Sequence, residues 1–441
     1  MGIQLSEHFT YRKLLKFTFP SVIMLVFTSI YGVADGFFVS NYAGKTSFTA
    51  VNFIMPVLMI LGCFGFMFGT GGGALIAKTL GEGRKEKANN LFSMIVYSSV
   101  IIGVILAVIG IATIRPIAVL LGADGELLDN CVIYGRIILM AIPAYILQYE
   151  FQCLFATAEK AQLGLYITIV AGVTNIILDA LFVAVFQWGL HGAAMATAIS
   201  QCAGGIIPLI YFSRPNSSQL KLGGFYFNGR AFLTVCGNGS SELMTNISMS
   251  TVNMLYNTQL IKYANEDGVA AYGVMMYVSM IFNAIFIGYS VGTAPAVSYH
   301  YGAGNTDELK NLRKKSYCIT GFFAVIMLAL AEILAMPLSE IFVGYDDNLL
   351  SLTLHGFRIF SFSFVFAGFV IFSSSFFTAL NNGIISAFIS FFRALIQVIA
   401  VLILPIFWKL NGIWFSIVTA EILAVAVSVL LLFCNRKKYR Y

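Results

Sequence analysis

The sequence predicts an all-α membrane protein of twelve transmembrane helices in two six-helix bundles, related by a pseudo-twofold axis along the membrane normal. Three observations lead there. Hydrophobic residues make up 59% of the 441 and charged residues only 10%, with a mean hydropathy of +0.86, whereas soluble domains are about 45–50% apolar. The apolar residues fall into runs of roughly 20 residues or more, the length of a spanning helix rather than a barrel strand. The second half of the chain also echoes the first at an offset of 221 residues, from Gly81-Glu82-Gly83 to Gly302-Ala303-Gly304.

The first six spans are expected near 14–39, 50–77, 91–114, 132–156, 163–186 and 190–212. The first begins among Arg12, Lys13 and Lys16, carries Pro20 and Asp35, and is too long for the apolar core of a cleaved signal peptide. The second ends at the Gly81-Glu82-Gly83 loop and the third runs to Arg115-Pro116. Segment 213–229, with Arg214-Pro215-Asn216-Ser217-Ser218 and Gly223-Gly224, is the only long polar connection and reads as an inter-lobe linker. It divides an amino-terminal lobe, 1–212, from a carboxy-terminal lobe, 230–441. The second lobe should hold spans near 230–261, 269–298, 316–336, 351–379, 384–407 and 411–434. The offset carries Gly71 to Gly292, Pro116 to Pro337 and Phe155 to Phe376, and slips by one from Trp188 to Trp408. Six spans per half is an even number, so the repeat is parallel, as in transporters whose halves rock about a central cleft.

Basic residues set the orientation. With both termini in the cytoplasm, 19 of the 26 Lys and Arg lie on the inner side, four (Lys45, Arg115, Lys262, Lys409) on the outer, and Arg136, Arg358 and Arg393 within spans. That is the positive-inside pattern of a plasma-membrane protein. The net charge of +6 is explained by topology and gives no sign of nucleic-acid binding. The seven cysteines are scattered, without metal-site or disulfide spacing. Gly288-Tyr289-Ser290-Val291-Gly292 matches a hydrolase string but sits in an apolar helix rather than a strand-to-helix elbow. Gly69-Thr70-Gly71-Gly72-Gly73-Ala74 lacks the preceding strand of a dinucleotide site, and no Walker loop exists to bind ATP. The expectation is a protein without enzymatic activity or cofactor, acting as a monomer.

The chemistry concentrates in the first lobe. An ionisable group in a bilayer costs at least roughly 2.5–3.5 kcal/mol at the centre, so Asp35 and Asp179 read as functional. Asn175 and Asp179 are four apart on span five and share a face. With Thr197 on span six, three spans bring oxygens to about 7–11 Å below the outer surface. Carboxylate, amide and hydroxyl oxygens suit Na⁺, and burial with mutual repulsion favours proton uptake, so H⁺ suits the set equally. Adding 221 to 35, 175 and 179 gives Tyr256, Ile396 and Ala400, none of them a carboxylate. Pro20, about four turns below Asp35, is read as a hinge in span one. Gln148 and Gln152 share a face of span four and are candidates for lining the cleft, as is Glu242 beside Asn246 in span seven. Glu150, Glu332 and Glu421 read as paired or facing lumen water.

These residues resemble the multidrug and toxic compound extrusion (MATE) family, and the resemblance covers essentially the whole chain. It rests on Pro20 followed fifteen residues later by Asp35, Asn175-x-x-x-Asp179, Thr197 eighteen residues beyond, and the two Gly-x-Gly loops. It is nearest to the prokaryotic branch whose cation site lies in the first lobe. The resemblance implies Na⁺- or H⁺-driven export of organic cations and amphipathic compounds, with Asp35, Asn175, Asp179 and Thr197 as cation-site residues. The family's other branch has a glutamate in span seven, and Glu242 does not fall clearly on that position. Lipid-linked precursor flippases of the same superfamily are the alternative, and they typically have more spans.

Overall fold

The structure, a computed structural model, describes residues 3–344 and 346–441; the side chains of Lys45, one of the outer basic residues, and Glu266 lie outside that description. Among the described residues there is no strand. The first bundle comprises α1 (Tyr11–Phe38), α2 (Lys45–Gly81), α3 (Lys85–Leu120), α4 (Gly125–Thr157), α5 (Ala161–Asp179) and α6 (Gly189–Ser213). The continuous stretch Gly229–Gly302 breaks at Asn265, where φ is 53° and ψ −147°. Tyr256 and Tyr272 stack across that break with ring centroids 5.3 Å apart. The chain therefore doubles back, giving α7 (229–264) and α8 (266–302). α9 (Thr306–Val343) follows, and α10 has two segments, Asp347–Ser361 and Ser363–Ala379, bent by 41°. Gly383–Tyr439 breaks in turn at Lys409 into α11 (383–408) and α12 (410–439).

Twelve spans result, many of them longer than the apolar runs: α2 covers 37 residues and α3 36. The helices continue through polar ends until a capping residue stops them. Thr10 opens α1, Asn228 α7, Asn305 α9, Asp346 α10 and Asn382 α11, each with its side-chain oxygen accepting a backbone N–H of the first turn. Gly83 and Gly304, at φ 77° and 67°, take the left-handed conformation that ends α2 and α8. Eight of the nine prolines lie inside helices. Membrane spans tolerate this because neighbouring groups satisfy the freed carbonyls. Residues 214–228 carry no helix and are strapped to the first bundle. Gly223 N–H donates to Ser93 Oγ at 2.8 Å and Lys221 N–H to Asn89 Oδ1 at 3.0 Å.

Each bundle has its own apolar core, one centred on residues such as Ile54, Phe92, Ile142 and Phe151, the other on Tyr256, Met275, Phe360 and Trp414. Between the bundles, contacts obey the 221-residue offset reciprocally. A Cβ on Gly81 would lie 2.0 Å from the Tyr299 carbonyl oxygen, and one on Gly302 2.1 Å from that of Lys78. Lys78 and Tyr299 are themselves offset partners, so α2 and α8 cross about a local twofold axis. The pattern repeats deeper: Gly239 of α7 abuts Met67 O, while Gly292 of α8 abuts Thr18 and Ser21 of α1. Glycine is required at positions 81, 239 and 302 because backbone meets backbone there, and at Gly292 the fit is tight. All these inter-bundle crossings lie in the half of the molecule holding both chain ends, where Phe9 packs on Phe17 and His300.

Candidate functional site

The site forms at the other end of the first bundle, between α1, α4, α5 and α6. Gly172 lets α5 approach α1, since a Cβ there would be 2.5 Å from Phe27 and 2.8 Å from Tyr31. One turn further along α5 come Asn175 and then Asp179. Gly204 and Gly205 do the same for α6 against α4, meeting Gln148 and the Ala144 carbonyl. The small residues thus draw three helices onto one polar pocket.

Asp35 and Asp179 meet there. Their carboxyl groups lie within electrostatic reach of each other, and Thr197 Oγ1 donates to Asp35 Oδ1 at 3.3 Å. Asp179 is fully buried and neither of its oxygens has a donor; Asn175, also buried, has no hydrogen-bond partner for either amide atom. Buried polar atoms without partners are costly, and here they cluster: a carboxyl pair, a free amide oxygen and a hydroxyl. Such a set can close around Na⁺ or hold one proton between the acids.

Tyr134 of α4 completes the pocket. It is fully buried, its hydroxyl lies beside Thr197, and it feels the charge of both acids. Sequence reasoning passed over it by searching for acids, amides and hydroxyls of short side chains. Its place near the outer end of span four, from which a long side chain reaches the same depth, was the available signal.

Two further features frame the acids. α1 gives way to a π-helical turn at Val39–Ala43, and α5 to another at Ala180–Val185, directly after Asp179. The two turns widen the helices just outside the carboxyls, a distortion common at functional sites. Below Asp35 the same face of α1 continues through Tyr31 and Thr28, which receive Gln148 Nε2 and Gln152 Nε2, each at 3.4 Å. Gln148 and Gln152 are buried within the first bundle, facing α1. Pro20 is buried in the interior of α1, past its first turn, where it removes a hydrogen bond to the preceding turn.

Two of the three offset positions in the second bundle are sealed, and the third, Ile396, is half-buried. Tyr256, where Asp35 would repeat, is fully buried and hydrogen-bonded to Ser416, and Ala400 is buried. Glu242 instead lines a cavity of about 160 Å³ inside the second bundle and lies within electrostatic reach of Cys63 and Cys153 of the first. Of the other glutamates, Glu332 is 4.0 Å from Arg358 and Glu421 2.5 Å from Arg393. Glu150 departs from expectation. It is fully buried with both oxygens free of donors and Ser99 beside it. At Gly69 α2 packs directly on the Glu150 backbone, where a Cβ would stand 2.9 Å from its carbonyl oxygen.

Two membrane-spanning bundles meeting at a glycine crossing, with buried acids enclosed in one of them, are the architecture of a membrane transporter. The profile of the MatE family matches residues 20–181 and 243–403, and the chain belongs to that family. It is 24% identical over 438 residues to the multidrug export protein MepA of Staphylococcus aureus (strain NCTC 8325), covering 97% of this chain and 94% of that protein. It is 27% identical over 326 residues to MepA of Staphylococcus haemolyticus, covering 73% and 71%. The fold superposes with a TM-score of 0.93, at 21% identity and 100% and 98% coverage, on an outward-facing multidrug resistance MATE family transporter of the MOP superfamily.

Proposed function

We propose that this chain is a multidrug exporter that expels cationic and amphipathic small molecules across the plasma membrane in exchange for inflowing Na⁺ or H⁺. The observation that carries the reading is the Asp35–Asp179 pair with Thr197, Asn175 and Tyr134, enclosed in one bundle and absent from the other.

The relatives named multidrug export proteins support it. The excess of basic residues at the end holding both termini supports a cytoplasmic placement of that end. In this orientation the glycine crossings close the cytoplasmic side, and the acid pair sits under the external face. Ion entry from outside loads the pair and alters the charge and shape of the first-lobe pocket, which favours release of cargo outward. Return to the inward-open state then carries the ion in. Coupling requires that cargo and ion prefer different states, since equal affinity for both would shift nothing. The lipid bilayer and the small-molecule cargo are the only partners this cycle needs, and one copy of the chain suffices.

Dye efflux from proteoliposomes under an imposed Na⁺ gradient or pH gradient, each applied separately, tests the proposal. One gradient should drive efflux and the other should not. Efflux driven by neither gradient, with the protein folded, overturns it.

A further inference from the structure

The cavity in the second bundle contains an ion pair of unusual form. Arg393 donates to Glu421 through Nε at 2.8 Å and Nη2 at 2.5 Å, and both bonds go to the same oxygen, Oε1. Gln397 Nε2 adds a third donor to that oxygen at 3.3 Å. An arginine–carboxylate pair more often engages both oxygens as a fork. Here Oε2 is left without any donor although Glu421 is only 2% exposed.

Asn283 presents the same imbalance. Its Nδ2 is tied to Ser279 Oγ at 3.0 Å, while its Oδ1 is buried without a partner. Glu421 and Asn283 both line the cavity, together with Glu242. Two buried acceptors therefore stand free in the wall, beside one unpartnered hydroxyl, Ser290 Oγ, which can accept as well as donate; N–H groups would satisfy both acceptors. Its formal charge points the same way: Arg393 cancels Glu421 and leaves Glu242 uncompensated. The remaining wall is largely apolar, with Met249, Met276, Phe360 and Phe364. A volume of about 160 Å³ is close to the roughly 150 Å³ that accommodates a benzene ring in an engineered apolar cavity.

We propose that this cavity is a cargo subsite for the N–H-bearing cationic end of an amphipathic molecule, an aromatic amidine or protonated amine. Glu421 Oε2 and Asn283 Oδ1 accept its hydrogen bonds, Glu242 balances its charge, and Arg393 with Gln397 holds Glu421 in place. The proposal rests on the export reading for its biological sense, but its test is a binding measurement that needs no gradient.

The experiment titrates the purified protein with the fluorescent probe p-aminobenzamidine and compares neutral benzamide and tetraphenylphosphonium, a cation without N–H groups. Wild type should bind p-aminobenzamidine saturably and benzamide far more weakly. Glu421→Gln should weaken the probe about tenfold or more, the effect of losing a hydrogen bond to a charged partner, and Asn283→Ala several-fold. Tetraphenylphosphonium binding should be weakened much less by either change. Should Glu421→Gln misfold by stranding Arg393, the double variant Arg393→Gln/Glu421→Gln removes both charges and carries the same expectation. Wild-type affinity for p-aminobenzamidine in the folded double variant and in Asn283→Ala overturns the proposal. A wild-type protein that binds the probe through Glu421 yet shows no gradient-driven efflux would overturn the export reading alone.

Discussion

Gly302→Ala is a sharp mechanical perturbation of the crossing between the bundles. The added Cβ would stand 2.1 Å from the Lys78 carbonyl oxygen and 2.8 Å from its carbon, whereas ordinary contact begins at 3.4 Å. Both atoms are backbone, so no side chain can swing away. The α2–α8 crossing must open by about 1.3 Å, the gap between those two distances. Overpacking of this kind costs about 1–3 kcal/mol, and the cost falls only on the state in which the end holding the chain termini is closed. A differential of that size shifts a two-state equilibrium by about 5- to 150-fold. Spin labels at the exposed positions 86 and 307, in a cysteine-depleted background, report the separation of the bundles at that end by pulsed EPR. The substitution should move the distance distribution toward longer separations, and Gly81→Ala, at the same crossing, should do likewise without adding in full. An unchanged distribution in the folded variant would refute the idea that this crossing closes the gate.

Other outcomes follow from the site. Asp179→Asn removes a buried carboxyl group that no donor satisfies, so its thermal unfolding midpoint should rise by the equivalent of about 1–3 kcal/mol while gradient-driven efflux falls to background; a lower midpoint with normal efflux contradicts this. Thr197→Val deletes the donor to Asp35 and should slow coupled efflux several-fold, with Thr197→Ser restoring it, measured as initial rates in proteoliposomes. Pro20→Ala restores a hydrogen bond in the interior of α1 and should slow turnover while leaving ion affinity near wild type, which steady-state efflux and ion titration separate.

Much of this architecture was legible in residue order. Apolar run length gave the spans, and the offset from Gly81 to Gly302 anticipated a twofold relation that the reciprocal contacts with Tyr299 and Lys78 make physical. The first Gly of each Gly-x-Gly loop serves the crossing and the second, at positive φ, ends the helix. Other features left little trace. The π-helical turns after Phe38 and Asp179 are shifts of hydrogen-bond register that no residue type announces. The bend at Phe362 occurs within an apolar run without proline or glycine beside it. Tyr134 escaped because tyrosine in a span reads first as a packing residue. Glu150 differs again: it is buried without a cationic partner, and nothing in its sequence surroundings sets it apart from the paired acids Glu332 and Glu421. Arg393 and Glu421 were legible as intramembrane charges, but the single-oxygen geometry of their contact is a property of three dimensions.

The central claim is that one ion is exchanged at the Asp35–Asp179 pair. Cargo-triggered ion release from the purified protein, followed together with a pH electrode and a Na⁺ electrode, tests it most directly. Wild type should release one kind of ion stoichiometrically on cargo addition, and Asp35→Asn and Asp179→Asn should each release none. Undiminished release from both folded variants would contradict the account.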